Sequence, residues 1–257
     1  MPRRPCHSYV RGSQEMAFVN AHSIQCGGII AAGQGTRLRR DGWPMPKPLV
    51  PVAGKPLIEH VIRNYLAANI RSLTIIFNEE DSACETWIRS QFPQLNLQIL
   101  VKTTASSLES FLEVSSQLGS GRALISTVDA FCPRPDFLKF VKAIESFSPE
   151  ALVLAVTPFV ADERPLWVTM NENGKVTKLG GDSGETVTGG LYVVPESFRQ
   201  GSIPKGLNRL RDFLTWLVNM GVPTYGIQIE KVIDVDRAED VKLAEALGTH
   251  PTSHYIE

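Results

Sequence analysis

No stretch of the 257-residue sequence approaches the ~20 consecutive apolar residues that a membrane-spanning helix needs. One sign of charge does not dominate either. Lys and Arg number 26 against 27 Asp and Glu, so the overall balance draws the chain neither to nucleic acid nor to an anionic membrane surface. Cysteine is sparse: Cys6, Cys26, Cys84 and Cys132 are widely separated. The absence of a close pair argues against a disulfide framework or a structural zinc site and fits reduced thiols in a cytoplasmic protein. Cys26 and Cys132 stand beside strand-like runs and read as small buried apolar residues. The opening MPRRPCHSYVRGSQEMAFVNAHS is basic but lacks the apolar segment of a signal peptide, and Met16 is a second candidate start. Residues 1–23 are expected to form a poorly ordered tail, 24–250 a single domain, and 251–257 a short tail. Internal repeats and low-complexity linkers are also missing. What remains is 43% hydrophobic, enough for a buried core and too much for a wholly disordered chain.

From Cys26 onward, apolar runs and helical stripes alternate. GGIIAA, SLTIIF, LQILVK, RALISTV and ALVLAVT read as strands, and PLIEHVIRNYLAA, SACETWIRSQF, SSLESFLEVSSQL and PDFLKFVKAIESF read as the helices between them. The strands are rich in Ile, Val and Leu, which predicts a mostly parallel sheet covered on both faces. The pattern then changes. LWVTM and KVTKL are two strands joined by a turn, TVTGGLYVV is a third, LNRLRDFLTWLVNM is a helix, PTYGIQI and KVIDV are strand-like, and AEDVKLAEAL closes the chain as a helix. The expected fold is therefore a three-layer α/β/α domain of Rossmann-like type, with a mixed, mostly parallel sheet and a small, partly antiparallel lobe added by its later part.

The first strand ends near Ala32, and Gly33, Gly35, Thr36 and Arg37 follow at once. Parallel sheets place ligands beyond the carboxyl ends of their strands. Glycines there let backbone amides approach phosphate oxygens, while Arg37 and Lys47 supply positive charge. Pro46 and Pro48 bracket Lys47 and restrict the backbone that presents it. The segment lacks GKS or GKT, so it is not the P-loop of ATPases, and GQGTRL falls short of the dinucleotide fingerprint. No helical periodicity follows the glycines until after Gly54, so the intervening stretch is expected to be a loop closing over a polyphosphate.

The same segment resembles the signature of the sugar-1-phosphate nucleotidylyltransferases, a strand followed by AAGxGTRL and then PKPLxPVxGKPLI. Ala31, Ala32, Gly33, Gly35, Thr36, Arg37 and Leu38 match the first half. Pro46, Lys47, Pro48, Leu49, Pro51, Val52, Gly54, Lys55, Pro56, Leu57 and Ile58 match the second. The resemblance implies transfer of a nucleoside monophosphate from a triphosphate to a small phosphorylated acceptor, with Arg37, Lys47 and Asp129 as catalytic groups. It further implies that Ala31, Ala32, Gly33, Gly35 and Thr36 line the nucleotide.

Such a transfer calls for Mg2+ held by carboxylates at strand ends. Asp129 follows the run ALISTV, and Asp234 and Asp236 follow KVI, where alternation along an extended strand puts both on one side. The resemblance assigns Asp129 and Asp234 to the metal, with Asp236 a further candidate. Capping is the other reading: Asp129 of the loop before PRPDFL, and Asp236 of the last helix, where Glu239 stands three residues on. Ser106 and Ser107 begin a helix with Glu109 in capping-box spacing, and in related cytidylyltransferases a serine at this place contacts the nucleotide, which makes Ser107 a candidate. For the acceptor, the family's NxGxY segment falls on Thr188, Gly189, Gly190 and Tyr192. The family's EKP lysine is missing. GKVTKLGGDSG stands in its place, and Lys178 is the nearest substitute, although a lysine on a hairpin is ordinarily solvated.

None of the five histidines forms a nucleophile–base arrangement. The expected reaction needs none, because the acceptor phosphate is itself the nucleophile. A polyol phosphate, phosphocholine or the molybdopterin cofactor are alternative acceptors, and a non-catalytic nucleotide-binding regulator is the alternative class. A monomer or homodimer is expected, with no nucleic-acid or membrane partner.

Overall fold

The computed structural model describes residues 24–161, 163–201 and 203–248. The tails expected over 1–23 and 251–257, and Cys6, lie outside the described residues. Strand β1 (Cys26–Ala31) is apolar and buried throughout, as an interior parallel strand must be. It opens into the glycine loop, and helix α1 (Thr36–Arg40) starts directly after Gly35. The sequence reading placed no helix before Gly54. Five residues with one buried apolar side chain, Leu38, leave no periodic stripe to detect. A single 3-10 turn, Lys47–Leu49, leads into the small hairpin β2 (Pro51–Val52) and β3 (Lys55–Pro56).

Alternation then proceeds as α2 (Leu57–Ala67), β4 (Ser72–Phe77), α3 (Ser82–Gln91), β5 (Asn96–Val101), α4 (Ser107–Gln117), β6 (Ala123–Thr127), β7 (Ala130–Phe131), α5 (Arg134–Ile144) and β8 (Leu152–Thr157). The later part comprises β9 (Trp167–Met170), β10 (Val176–Leu179), β11 (Thr186–Val194), α6 (Glu196–Arg199), α7 (Leu210–Asn219), β12 (Thr224–Gln228), β13 (Ile233–Asp234) and α8 (Ala238–Gly248). Strands β5, β4, β1 and β6 lie side by side and parallel, and β12 is parallel to β8. Strand β11 runs antiparallel to β6, β8 and β9 and joins the halves of one mixed sheet.

Helix α2 shows why the layers form. Leu57, Ile58, Val61, Ile62 and Tyr65 make one apolar stripe, and each such side chain contributes roughly 1.5–3 kcal/mol when fully buried, before chain entropy is counted. Tyr65 reaches under the sheet, where its hydroxyl lies 3.1 Å from the Gly28 carbonyl and 3.1 Å from Ser126 Oγ. Residues of α2, α3 and α5 build the core on one face of the sheet; α4 and α7 build it on the other. A third, smaller cluster joins Leu38, Val50, Val52, Leu57, Phe131, Ile233, Val235, Val241 and Ala244. That cluster positions the site, because it packs the segment after Lys47 against the segment carrying Asp234 and Asp236.

Strand β11 breaks register between Thr188 and Tyr192, at Gly189 and Gly190. Gly190 has φ +69°, and a Cβ there would lie 2.6 Å from Ala130 Cβ and 2.9 Å from Thr127 Oγ1. Only glycine combines that backbone with that closeness.

Candidate active site

Two cavities meet at the carboxyl ends of β1 and β6. The larger, about 600 Å3, is lined by the backbone from Ala32 to Arg37, by Lys47, and by Thr104 to Ser107 and Asp129. The smaller, about 200 Å3, lies over the β11 bulge and is lined by Thr188, Gly189, Gly190, Tyr192, Asp234 and Arg211 among others. Ile30, Ser107, Thr127 and Asp129 line both, so Asp129 stands where the two open into each other.

Local geometry explains how each group reaches this place. Gly35 adopts φ +59°, and a Cβ there would meet Lys47 Cβ at 2.9 Å, so the glycine loop lies directly against the lysine's backbone. A Cβ at Gly33 would meet nothing within 4 Å. The Asp129 carbonyl accepts from Phe131 N (2.8 Å) and Val235 N (3.0 Å), tying the end of β6 to β13. Ile233 and Val235 turn into the third core cluster, and the alternation throws Asp234 and Asp236 to the opposite side. Carboxylate oxygens of Asp129, Asp234 and Asp236 consequently lie within 4.8 Å of one another.

Lys47 enters this acidic group with its side chain only 6% exposed. Its ammonium donates to Asp129 Oδ2 at 2.7 Å and to Asp236 Oδ1. Arg37 donates to the other Asp236 oxygen at 2.7 Å, so both Asp236 oxygens are held by cations. Burial opposes the lysine's charge, but Asp129, Asp236 and Asp234 together outweigh it and raise its pKa above the ordinary lysine value. Burial likewise works against the Asp129 carboxylate, and the Lys47 ammonium with a hydrogen bond from Thr127 outweighs it, holding the acid below the usual carboxylate range. Lys47 and Asp129 are therefore both charged at neutral pH.

The other residues singled out in the sequence fall at different places around the cavities. Ala31 faces the hydrophobic core, and the loop first meets the cavity at Ala32. Ser106 caps α4 by accepting from Glu109 N at 3.1 Å. Ser107 Oγ lines both cavities while accepting from Leu210 N at 3.1 Å, which pins the start of α7 to the start of α4. The acid that caps the α8 entry is Asp240, whose Oδ2 accepts from Asp236 N (3.0 Å) and Arg237 N (2.8 Å); Glu239 does not take that place. Lys178 is exposed on β10 and lines neither cavity. Gln34, Asn78 and Arg211 line the cavities and escaped the sequence reading. Asn78 follows β4 directly, so the rule that ligands sit beyond strand carboxyl ends would have found it.

Comparison with known proteins agrees with this fold. The family model described as a MobA-like NTP transferase domain matches residues 27–186. The bifunctional protein GlmU of Acinetobacter baylyi is 34% identical over 100 residues, which is 39% of this chain and 18% of that protein. GlmU of Acinetobacter baumannii is 36% identical over 103 residues, again 39% of this chain and 18% of its own length. The chain thus matches about a fifth of the length of these curated relatives. In fold it superposes on the inositol-1-phosphate CTP transferase of T. maritima with a TM-score of 0.75 at 17% identity, covering 87% of this chain and 94% of that one. A candidate glucose-1-phosphate thymidylyltransferase from Bacillus anthracis gives a TM-score of 0.74 at 17% identity, with 89% and 97% covered. With the family match extending from β1 to the start of β11, the chain belongs to the MobA-like NTP transferase domain family.

Proposed function

We propose that the protein transfers a nucleoside monophosphate from a nucleoside triphosphate to a sugar 1-phosphate and releases pyrophosphate. The observation that carries this reading is Lys47, a buried cation bonded to Asp129 at the junction of the two cavities. In this reading the triphosphate occupies the larger cavity, against Ala32, Gly33, Gly35 and Thr36, with Ser107 beside the nucleotide. The acceptor lies over Thr188, Gly189 and Gly190. An acceptor phosphate oxygen attacks the α-phosphorus, the α–β anhydride bond breaks, and its electron pair leaves with pyrophosphate. No protein nucleophile takes part; the side chains position the reactants in line and neutralise charge. Arg37 and Lys47 exchange carboxylate partners for phosphate oxygens as the triphosphate enters.

The donor set suits a magnesium ion. Three converging carboxylates against the charges of Lys47 and Arg37 leave net negative charge, and hard oxygen ligands are what magnesium prefers. Asp129 and Asp234 would hold it, with Asp236 joining once its two cations move to phosphate. Bound there, magnesium would supply further neutralisation of the α-phosphate and the leaving pyrophosphate.

A non-sugar phosphorylated acceptor is the second reading, favoured by the position of Lys178 outside the acceptor cavity. Pyrophosphate release, measured for four nucleoside triphosphates crossed with sugar 1-phosphates, glycerol phosphate and phosphocholine, tests both. Release with one pair and not the others supports the transfer, and the acceptor that works decides between the readings.

A further inference from the structure

The acceptor cavity contains a cation that neither the motif nor the hairpin lysine accounts for. Its described lining includes two carboxylates, Asp129 and Asp234, and a single basic side chain, Arg211. Arg211 is the second residue of α7, half-buried, and its guanidinium donates to the Arg164 carbonyl at 2.9 Å. Among the described residues it forms no ion pair with a carboxylate, unlike Arg37 and Lys47. Its charge reaches the cavity floor, where it acts on the Tyr192 phenol in opposition to the stronger effect of burial. Helix α7 also directs the positive end of its backbone dipole to this side, since Leu210 N is bonded to Ser107 at the junction of the two cavities. Phe159, Leu166 and Val232 make part of the wall apolar, and the other polar groups, Ser107, Thr127, Thr157, Thr188 and Tyr192, are neutral hydroxyls that bring an anion no positive charge.

A phosphorylated acceptor brings about two negative charges into a space already bounded by two carboxylates. It needs a cation that is not engaged by the triphosphate, and one with a planar fork suits a phosphomonoester. We propose that Arg211 binds the acceptor's phosphate and selects phosphorylated over unphosphorylated acceptors, the role the hairpin lysine Lys178 was expected to fill. The assignment rests on the nucleotidyltransferase reading above, and its test keeps the two apart.

The test is calorimetric and needs no turnover. Magnesium tripolyphosphate first fills the triphosphate cavity of the full chain, and glucose 1-phosphate or glycerol 3-phosphate is then titrated in. Arg211→Gln is expected to weaken phosphomonoester binding at least tenfold while tripolyphosphate affinity stays within twofold. Arg211→Lys should recover part of the loss, and Lys178→Gln should bind like the unaltered protein. Unchanged phosphomonoester affinity in Arg211→Gln overturns the proposal, as does an equal loss for both ligands or an unaltered protein that binds neither monoester. Failure of the unaltered protein to bind tripolyphosphate overturns the triphosphate cradle, and this assignment falls with it.

Discussion

The Lys47 ammonium lies 2.7 Å from Asp129 Oδ2, bridging residues 82 apart in sequence. One partner is presented by a proline-bracketed turn beyond the glycine loop, the other by the end of β6. The bond ties the segment beyond the glycine loop to the carboxylate cluster before any ligand arrives. Because the lysine is almost wholly buried, its ammonium is kept at this junction, where a change from carboxylate to phosphate partners needs only a short shift, and the site is preorganised.

Replacing Lys47 by Met should lower turnover by roughly 10²–10³, the range found when one preorganised donor to a reacting oxygen is removed. Arg37→Ala should cost less, because its side chain is 39% exposed and water can take its place. Steady-state pyrophosphate release measures both, and unchanged turnover in Lys47→Met would remove the lysine from the reaction.

Asp129→Asn preserves volume while deleting the charge that faces both cavities. Magnesium-dependent turnover should fall by about two orders of magnitude or more, with the circular dichroism spectrum retained. A variant that titrates with magnesium as the unaltered protein does would exclude Asp129 from the metal site.

Gly190→Ala should destabilise the fold by ~2–4 kcal/mol, since it combines a left-handed backbone with a clash against Ala130 and Thr127. Gly189→Ala is expected to cost less, because its φ is not positive and its nearest neighbour is Val232 Cγ2 at 3.2 Å. Urea midpoints order the two, and equal midpoints would mean that the β11 bulge does not need its second glycine.

Buried thiols should be silent until the protein unfolds. Burial, and then the charge of Asp81, push Cys84 up to about 12, and burial raises Cys132 and Cys26 as well. The unfolded chain therefore loses these protons first. Their contribution to stability is complete below the unfolded value of roughly 8.5 and is lost as pH rises toward the folded values. In a Cys6→Ser background, an aromatic disulfide reagent at pH 8 should modify the native protein at least ~100-fold more slowly than the urea-unfolded chain. Rapid native labelling would contradict the burial of these residues.

The parts of this site legible in sequence were those fixed by local chemistry. The strand GGIIAA, the glycines after it, and a lysine held between prolines announce themselves through period and backbone restriction. So does the Asp234–Asp236 pair, because alternation needs only neighbouring residues. Helix α1 was not legible, since one turn with a single buried side chain has no period. Arg211 was hidden for a different reason. It belongs to a strongly amphipathic helix whose polar positions look alike in sequence, and only the bond between Leu210 and Ser107 turns the first turn of that helix to the acceptor cavity. The reverse holds for Lys178, which the resemblance offered only as the nearest substitute for the family's lysine and which the sheet carries on edge strand β10.

Nucleotidyl transfer at the Lys47–Asp129 junction is tested most directly by mass analysis of the product. The protein is incubated with magnesium, a nucleoside triphosphate and the phosphorylated acceptor that supports pyrophosphate release. The account predicts a product joining the nucleoside monophosphate to the intact acceptor phosphate, formed one-to-one with pyrophosphate and lost in Lys47→Met. Free nucleoside monophosphate without a joined product, or no reaction with any triphosphate and acceptor, would contradict it.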